Sequence, residues 1–106
     1  MEDLEKRLDT LSRELKNVFE KLDISAKTQE LLDLNKLISQ PDFWQDNKKA
    51  QLATKQEADL SRQTEPWLKL KALVEDLHEL VKLADDSMGD EIAGQLAEAE
   101  TIYDEL

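Results

Sequence analysis

The sequence predicts an all-α protein, an elongated antiparallel bundle of about four helices. Three observations carry that expectation. Apolar residues recur at alternating intervals of three and four along most of the chain, the spacing that lines one face of an α-helix. Two Gly and two Pro in 106 residues leave little material for the turns of a multi-stranded sheet. Aromatic residues make up 5% and Cys is absent, so the core must come mainly from Leu, Ile, Val and Ala, with no disulfide framework. A single domain of this length buries roughly two-thirds of its unfolded surface.

The first helix is expected from about Asp3 to Leu22, where Leu4, Leu8, Leu11, Leu15, Val18 and Leu22 keep one stripe and Phe19 widens it. Nearly three heptads are too few to claim a free-standing coiled coil over one arm of a bundle. Asp23-Ile24-Ser25 breaks the pattern, and Ser25 is the expected N-cap of a second helix over about Ala26 to Ser39. That helix puts Leu31, Leu34, Leu37 and Ile38 on one side, with Leu32 beside them. It ends before Pro41, because the residue preceding a proline is pushed out of the helical region.

Pro41-Asp42-Phe43-Trp44-Gln45-Asp46-Asn47 reads as the one dense non-helical stretch. Phe43, Trp44 and, further on, Trp67 are expected as core anchors between helices. Asp46 then caps a long third helix, about Asn47 to Ala84, where the helix dipole also favours its charge. Leu60, Gln63, Trp67, Leu70, Val74, Leu77, Val81 and Ala84 keep its rhythm. Pro66 interrupts it: either the helix kinks there, or Thr64 caps a new one with Pro66 in its first turn. The apolar phase carries through, which favours one kinked, continuous helix. Asp85 to Gly89 reads as a turn with Gly89 free to take a positive φ. A fourth helix from about Asp90 carries Ile92, Leu96, Ala99, Tyr103 and Leu106. It is still in phase at the last residue, as expected of a fragment whose helix continues or whose next domain is missing.

Net charge is −11 at neutral pH. A surface this acidic repels phosphates, so no direct nucleic-acid binding is expected of the chain. The acidic start Met1-Glu2-Asp3 lacks the order of a signal peptide. No apolar run approaches the ~20 residues that span a bilayer. The expected compartment is the cytoplasm, with no membrane partner.

No catalytic constellation emerges. His78-Glu79-Leu80-Val81-Lys82 begins like a helical zinc-protease motif, but Lys82 stands where the second His belongs and the chain has no other. His78 is read as an exposed or interfacial helix residue. Counting from Asp85, a calcium loop would need Gly at the sixth position and Glu at the twelfth; Gly89 is fifth and Leu96 twelfth. The acidic run reads as a solvated turn. Asp76 with Glu79 and Glu98 with Glu100 fall on polar helix faces, outside any water-poor cleft that acid–base work requires. Lys48-Lys49 and Lys69 with Lys71 are either local contact patches or ordinary solvated helix surface. No metal or cofactor is implied, and an enzyme is the weakest reading.

The segment Leu31-Leu32-Asp33-Leu34-Asn35-Lys36-Leu37-Ile38-Ser39-Gln40-Pro41-Asp42-Phe43-Trp44 closely resembles the N-terminal domain of bacterial peptide chain release factors of type 2. In that family a helix ends in a Pro-Asp-aromatic/aliphatic-Trp turn, followed by a long helix and an acidic turn. The order continues here through Asn47 to Ala84 and Asp85-Asp86, and the resemblance covers essentially residues 1–106 as one release-factor helical domain. It implies a parent protein that terminates translation at UGA and UAA, reading the codon with a Ser-Pro-Phe loop and promoting peptidyl-tRNA hydrolysis with a Gly-Gly-Gln loop. Neither motif is in this chain, whose only glycines are Gly89 and Gly94. What the resemblance leaves for the chain is docking on the ribosome, at the proteins of the stalk base and near the release factor 3 GTPase. The competing expectation is a generic helical adaptor or coiled-coil dimerisation module unrelated to translation.

Overall fold

The computed structural model describes residues 2–106. Four α-helices follow one another: α1 (Glu2–Lys21), α2 (Ile24–Ile38), α3 (Asn47–Leu83) and α4 (Gly89–Glu105), with single 3-10 turns at Pro41–Gln45 and Asp86–Met88. The described residues contain no strand. The molecule measures 60 × 24 × 18 Å. The 37 residues of α3 account for about 55 Å of that length at 1.5 Å per residue, so α3 is the spine.

The other helices lie along it. Ser12 of α1 meets His78, and Phe19 meets Lys71, so seven residues forward on α1 correspond to seven back on α3. Glu30 of α2 meets Gln56, extending the same antiparallel register. Helix α4 returns beside the second half of α3, where Trp67 packs edge-on to Tyr103 at 6.2 Å between centroids. An Arg7–Glu100 pair ties α4 to α1. One end is therefore a three-helix bundle of α1, α4 and the C-terminal half of α3. The other is a two-helix hairpin of α2 and the N-terminal half of α3.

The core sits at the three-helix end. Leu8, Leu11 and Leu15 meet Leu70, Val74 and Leu77 of α3 and Ile92, Leu96 and Ala99 of α4, each no more than 4% exposed. All but Ala99 of these are the branched aliphatics expected of a low-aromatic core. Toward the hairpin tip the buried residues of α3 are small, Ala50 and Ala53, with Leu60 buried further along; on α2, beyond the fully buried Ile24, Leu31, Leu34 and Ile38 are only half-buried.

Several local expectations need correction. Helix α2 begins at Ile24, not Ala26, and Ser25 is not its cap. Asp23 holds the cap position in the left-handed region, φ 52° and ψ 44°, without a side-chain cap bond. That single left-handed residue, a conformation tolerated by Asp better than by most side chains, lets the chain turn quickly enough for Ile24 to be completely buried. Gly89 takes no positive φ; at φ −54° it is the first residue of α4. Asp85 makes the turn instead, its Oδ1 accepting from the Ser87 N–H at 3.0 Å and from the Ser87 hydroxyl.

The long helix runs through Pro66 unbroken, as its apolar phase suggested. Thr64 does not cap a second helix: it is 1% exposed, and its hydroxyl donates to the Leu60 carbonyl at 2.9 Å. It also takes the inward place assigned to Gln63, which is exposed. Pro66 has no N–H for the Arg62 carbonyl, yet Leu60 and Thr64 before it and Leu70 after it are all buried, so packing on both sides holds the axis. Asp46 caps α3 as expected, accepting from the Lys49 N–H at 3.2 Å.

Candidate functional site

Three surface regions could carry function: a groove between α1 and α3, the tip of the α2–α3 hairpin, and the outer face of α4.

The groove has a volume of about 780 Å³. Leu15, Phe19, Ala26 and Val74 supply apolar walls, with Lys16, Glu20, Asp23, Lys71 and Glu75 as charged lining. Ser12 and His78 share it, with Oγ to Nε2 at 2.7 Å. The two lie 66 positions apart, and only the antiparallel register of α1 on α3 joins them. Their chemistry stops at a hydrogen bond. A hydrolytic serine needs a third group to orient the imidazole and free N–H donors for the oxyanion, whereas helix interiors on both sides have committed their N–H groups to the helices. His78 is half-buried and interfacial, bonded across the helix pair.

At the hairpin tip, Phe43 and Trp44 depart from the anchor expectation. Phe43 is half-buried and Trp44 is 52% exposed. The reason is local: with only α2 and α3 at this end, no third element covers the turn. Trp44 is nonetheless held in place. Its indole N–H donates to the Ile38 carbonyl at 3.0 Å, and Phe43 stands edge-on to it at 5.7 Å. A shallow groove of about 440 Å³ runs from Trp44 along α3 past Ala50, Thr54 and Ala58. Exposed Leu32, Leu37 and Leu52 add further apolar surface on the hairpin. Trp67 lies elsewhere, half-buried against the three-helix core.

The third region is electrostatic. From Asp85 to Leu106 the chain holds eight carboxylates and no Lys or Arg, so −8 of the −11 belongs to α4 and the turn before it. The remainder of the chain is close to balanced. This asymmetry is legible in the sequence itself. Glu100 holds the Arg7 guanidinium above its ordinary pKa, by hydrogen bonding first and by charge second. Asp85 is lowered by the two hydrogen bonds from Ser87. Among the described residues, no three His, Asp or Glu side chains gather closely enough to hold a metal ion, and no helix is long and apolar enough to cross a membrane. All three regions lie on the surface, open to contact with other macromolecules.

The PCRF domain family matches residues 27–106, which takes in nearly all of α2 and the whole of α3 and α4. The chain is 30% identical over 86 residues to peptide chain release factor 2 of Borreliella burgdorferi, an alignment covering 78% of this chain and 23% of that protein. It is 37% identical over 83 residues to the Aliivibrio fischeri peptide chain release factor 2, with 74% and 23% covered. For the Neorickettsia sennetsu protein of the same name the figures are 27% over 77 residues, 73% and 21%. The chain thus spans less than a quarter of the length of these relatives. The helical hairpin with its Pro41–Trp44 turn and the helix that follows are the parts the comparisons share, and the chain belongs to the PCRF domain family, as an N-terminal release-factor domain.

Proposed function

We propose that the chain is the docking and positioning domain of a peptide chain release factor that directs translation termination at UGA and UAA codons in the cytoplasm. The observation that carries this reading is the family match over α2 to α4, together with release factor 2 relatives aligned over about three-quarters of the chain. The generic adaptor reading explains the helices but not that match. The geometry suits docking: an elongated body, 60 × 24 × 18 Å, with open surfaces toward both of its ends. The basic proteins at the base of the ribosomal stalk are the proposed contact for α4 and the turn before it, whose combined −8 would steer them there, and the release factor 3 GTPase is a proposed neighbour. Peptidyl-tRNA hydrolysis is assigned to the parent protein's Gly-Gly-Gln loop, for which this chain has no adjacent glycines.

The test is a reconstituted termination assay. The chain alone should give no stop-dependent peptide release, and in excess it should slow release by an intact release factor 2 by competing for the ribosome. Release by the chain alone, or no competition and no co-sedimentation with ribosomes, overturns the reading.

A further inference from the structure

The net charge of −11 argues against nucleic acid for the chain as a whole, but charge acts locally. The ten residues from Asn47 to Gln56 contain Lys48, Lys49 and Lys55 and no carboxylate. The ion pairs among the described residues engage Arg7, Arg62, Lys69 and Lys71, leaving these three lysines unpaired. Carboxylates border this stretch: Asp42 and Asp46 precede it, Glu57 follows it and Glu30 of α2 accepts from Gln56 within it, but Asp46 is committed to the first turn of α3 and Glu30 to the Gln56 amide. The acidic helix is distant. Its Tyr103 meets the spine at Trp67, and the rise along α3 from Lys48 to Trp67 is about 28 Å. At physiological ionic strength the Debye length is about 8 Å, so α4's field is mostly screened at the tip.

Beside the lysines lies the Trp44 groove. The indole N–H is already used on the Ile38 carbonyl, so Trp44 offers the ring and not a donor. Because that bond and Phe43 fix the ring, a ligand stacked on it loses little further side-chain freedom. Ala50 and Ala58 keep the groove floor shallow, Asn47 and Gln51 place amides along it, and Lys55 lines it. A flat, uncharged ring joined to anions fits this surface: a base against Trp44 with phosphates at the lysines. Stacking on an exposed aromatic beside a short cationic row is the general means of holding unpaired nucleotides. We infer that the hairpin tip, Trp44 with Lys48 and Lys55, binds single-stranded RNA.

The inference deepens the proposed docking, and rests on it for its biological setting, by making RNA the surface that the tip meets. It stands or falls on the chain and RNA alone. A fluorescent oligouridylate is titrated with the chain at low salt and followed by anisotropy, with oligoglutamate of matched charge as competitor. Binding should weaken roughly tenfold when salt is raised fourfold, as for about two to three neutralised phosphates. Trp44→Ala should cost about tenfold and K48E/K55E should abolish binding, while Lys82→Glu beside the three-helix core leaves it unchanged. All four positions are exposed, and circular dichroism checks that each variant folds. No binding, K48E/K55E binding as tightly as the parent chain, or oligoglutamate competing as well as RNA (a purely ionic or acidic-protein contact) overturns it. RNA binding through these residues holds whether or not the chain joins ribosomes, so the two readings fail separately.

Discussion

The Ser12 hydroxyl and the His78 Nε2 lie 2.7 Å apart, and they are the side-chain hydrogen bond that ties α1 to the α3 spine. Apolar stripes hold two helices together but slide with little cost. A polar pair at one level of the interface costs stability in every other register, because a half-buried partner would then lack its bond. Ser12→Ala should lower stability by about 1 kcal/mol. The Ser12→Ala/His78→Ala double variant should lose less than the sum of the singles. Urea unfolding of the three variants measures both; strict additivity would mean that the pair does not couple.

Leu77 and Leu83 share one helix and differ in what covers them. Leu77 is 0% exposed at the junction of α1, α3 and α4, while Leu83 is 84% exposed. Leu77→Ala should cost about 3 kcal/mol from lost transfer energy and the cavity left behind. Leu83→Ala should stay within about 0.5 kcal/mol of the parent. Chemical denaturation of both separates them.

Pro66 carries a standing cost. Proline in a helix interior is about 3 kcal/mol worse than alanine, part of which the stiffer unfolded chain offsets. Pro66→Ala should raise stability by about 1–2 kcal/mol and lift the thermal midpoint. A lower midpoint would show that Pro66 contributes more through packing and a stiffer unfolded chain than its missing N–H costs.

Asp85 makes the α3–α4 turn sensitive to acid. The hydrogen bonds from Ser87 favour its charged form and put its pKa below the ordinary 3.8. A group whose folded pKa is depressed stabilises above the unfolded value and loses that contribution as pH falls through the folded one. The thermal midpoint of the parent chain should therefore exceed that of Asp85→Asn near neutral pH, and the gap should close below about pH 4. A gap independent of pH would assign the effect to turn geometry and not to charge.

Local rules made most of the fold legible. Asp46 as the cap of α3, the stop before Pro41 and the apolar stripes of α1 and α4 depend on neighbours a few positions away, and the structure has each of them except at the stripe ends, where Leu22 and Leu106 fall outside the helices and are 40% and 48% exposed. Asp23 shows the limit. Its left-handed backbone follows from the need to bury Ile24 against elements elsewhere in the chain, and cap preference by itself does not favour it over Ser25. The same holds for Thr64 over Gln63: with Pro66 close by, the phase of the stripe is decided by which face the neighbouring helices cover.

The sequence by itself determined that this chain is helical, that its longest helix continues through Pro66 and that its last stretch is strongly acidic. These are properties of composition and spacing. Tertiary structure alone decided that three helices pack at one end and two at the other. That difference leaves Trp44 in solvent and Trp67 against the core, and the antiparallel register brings Ser12 to His78. A pattern of apolar residues marks which face of a helix will be buried. How completely it is buried depends on how many partners reach it.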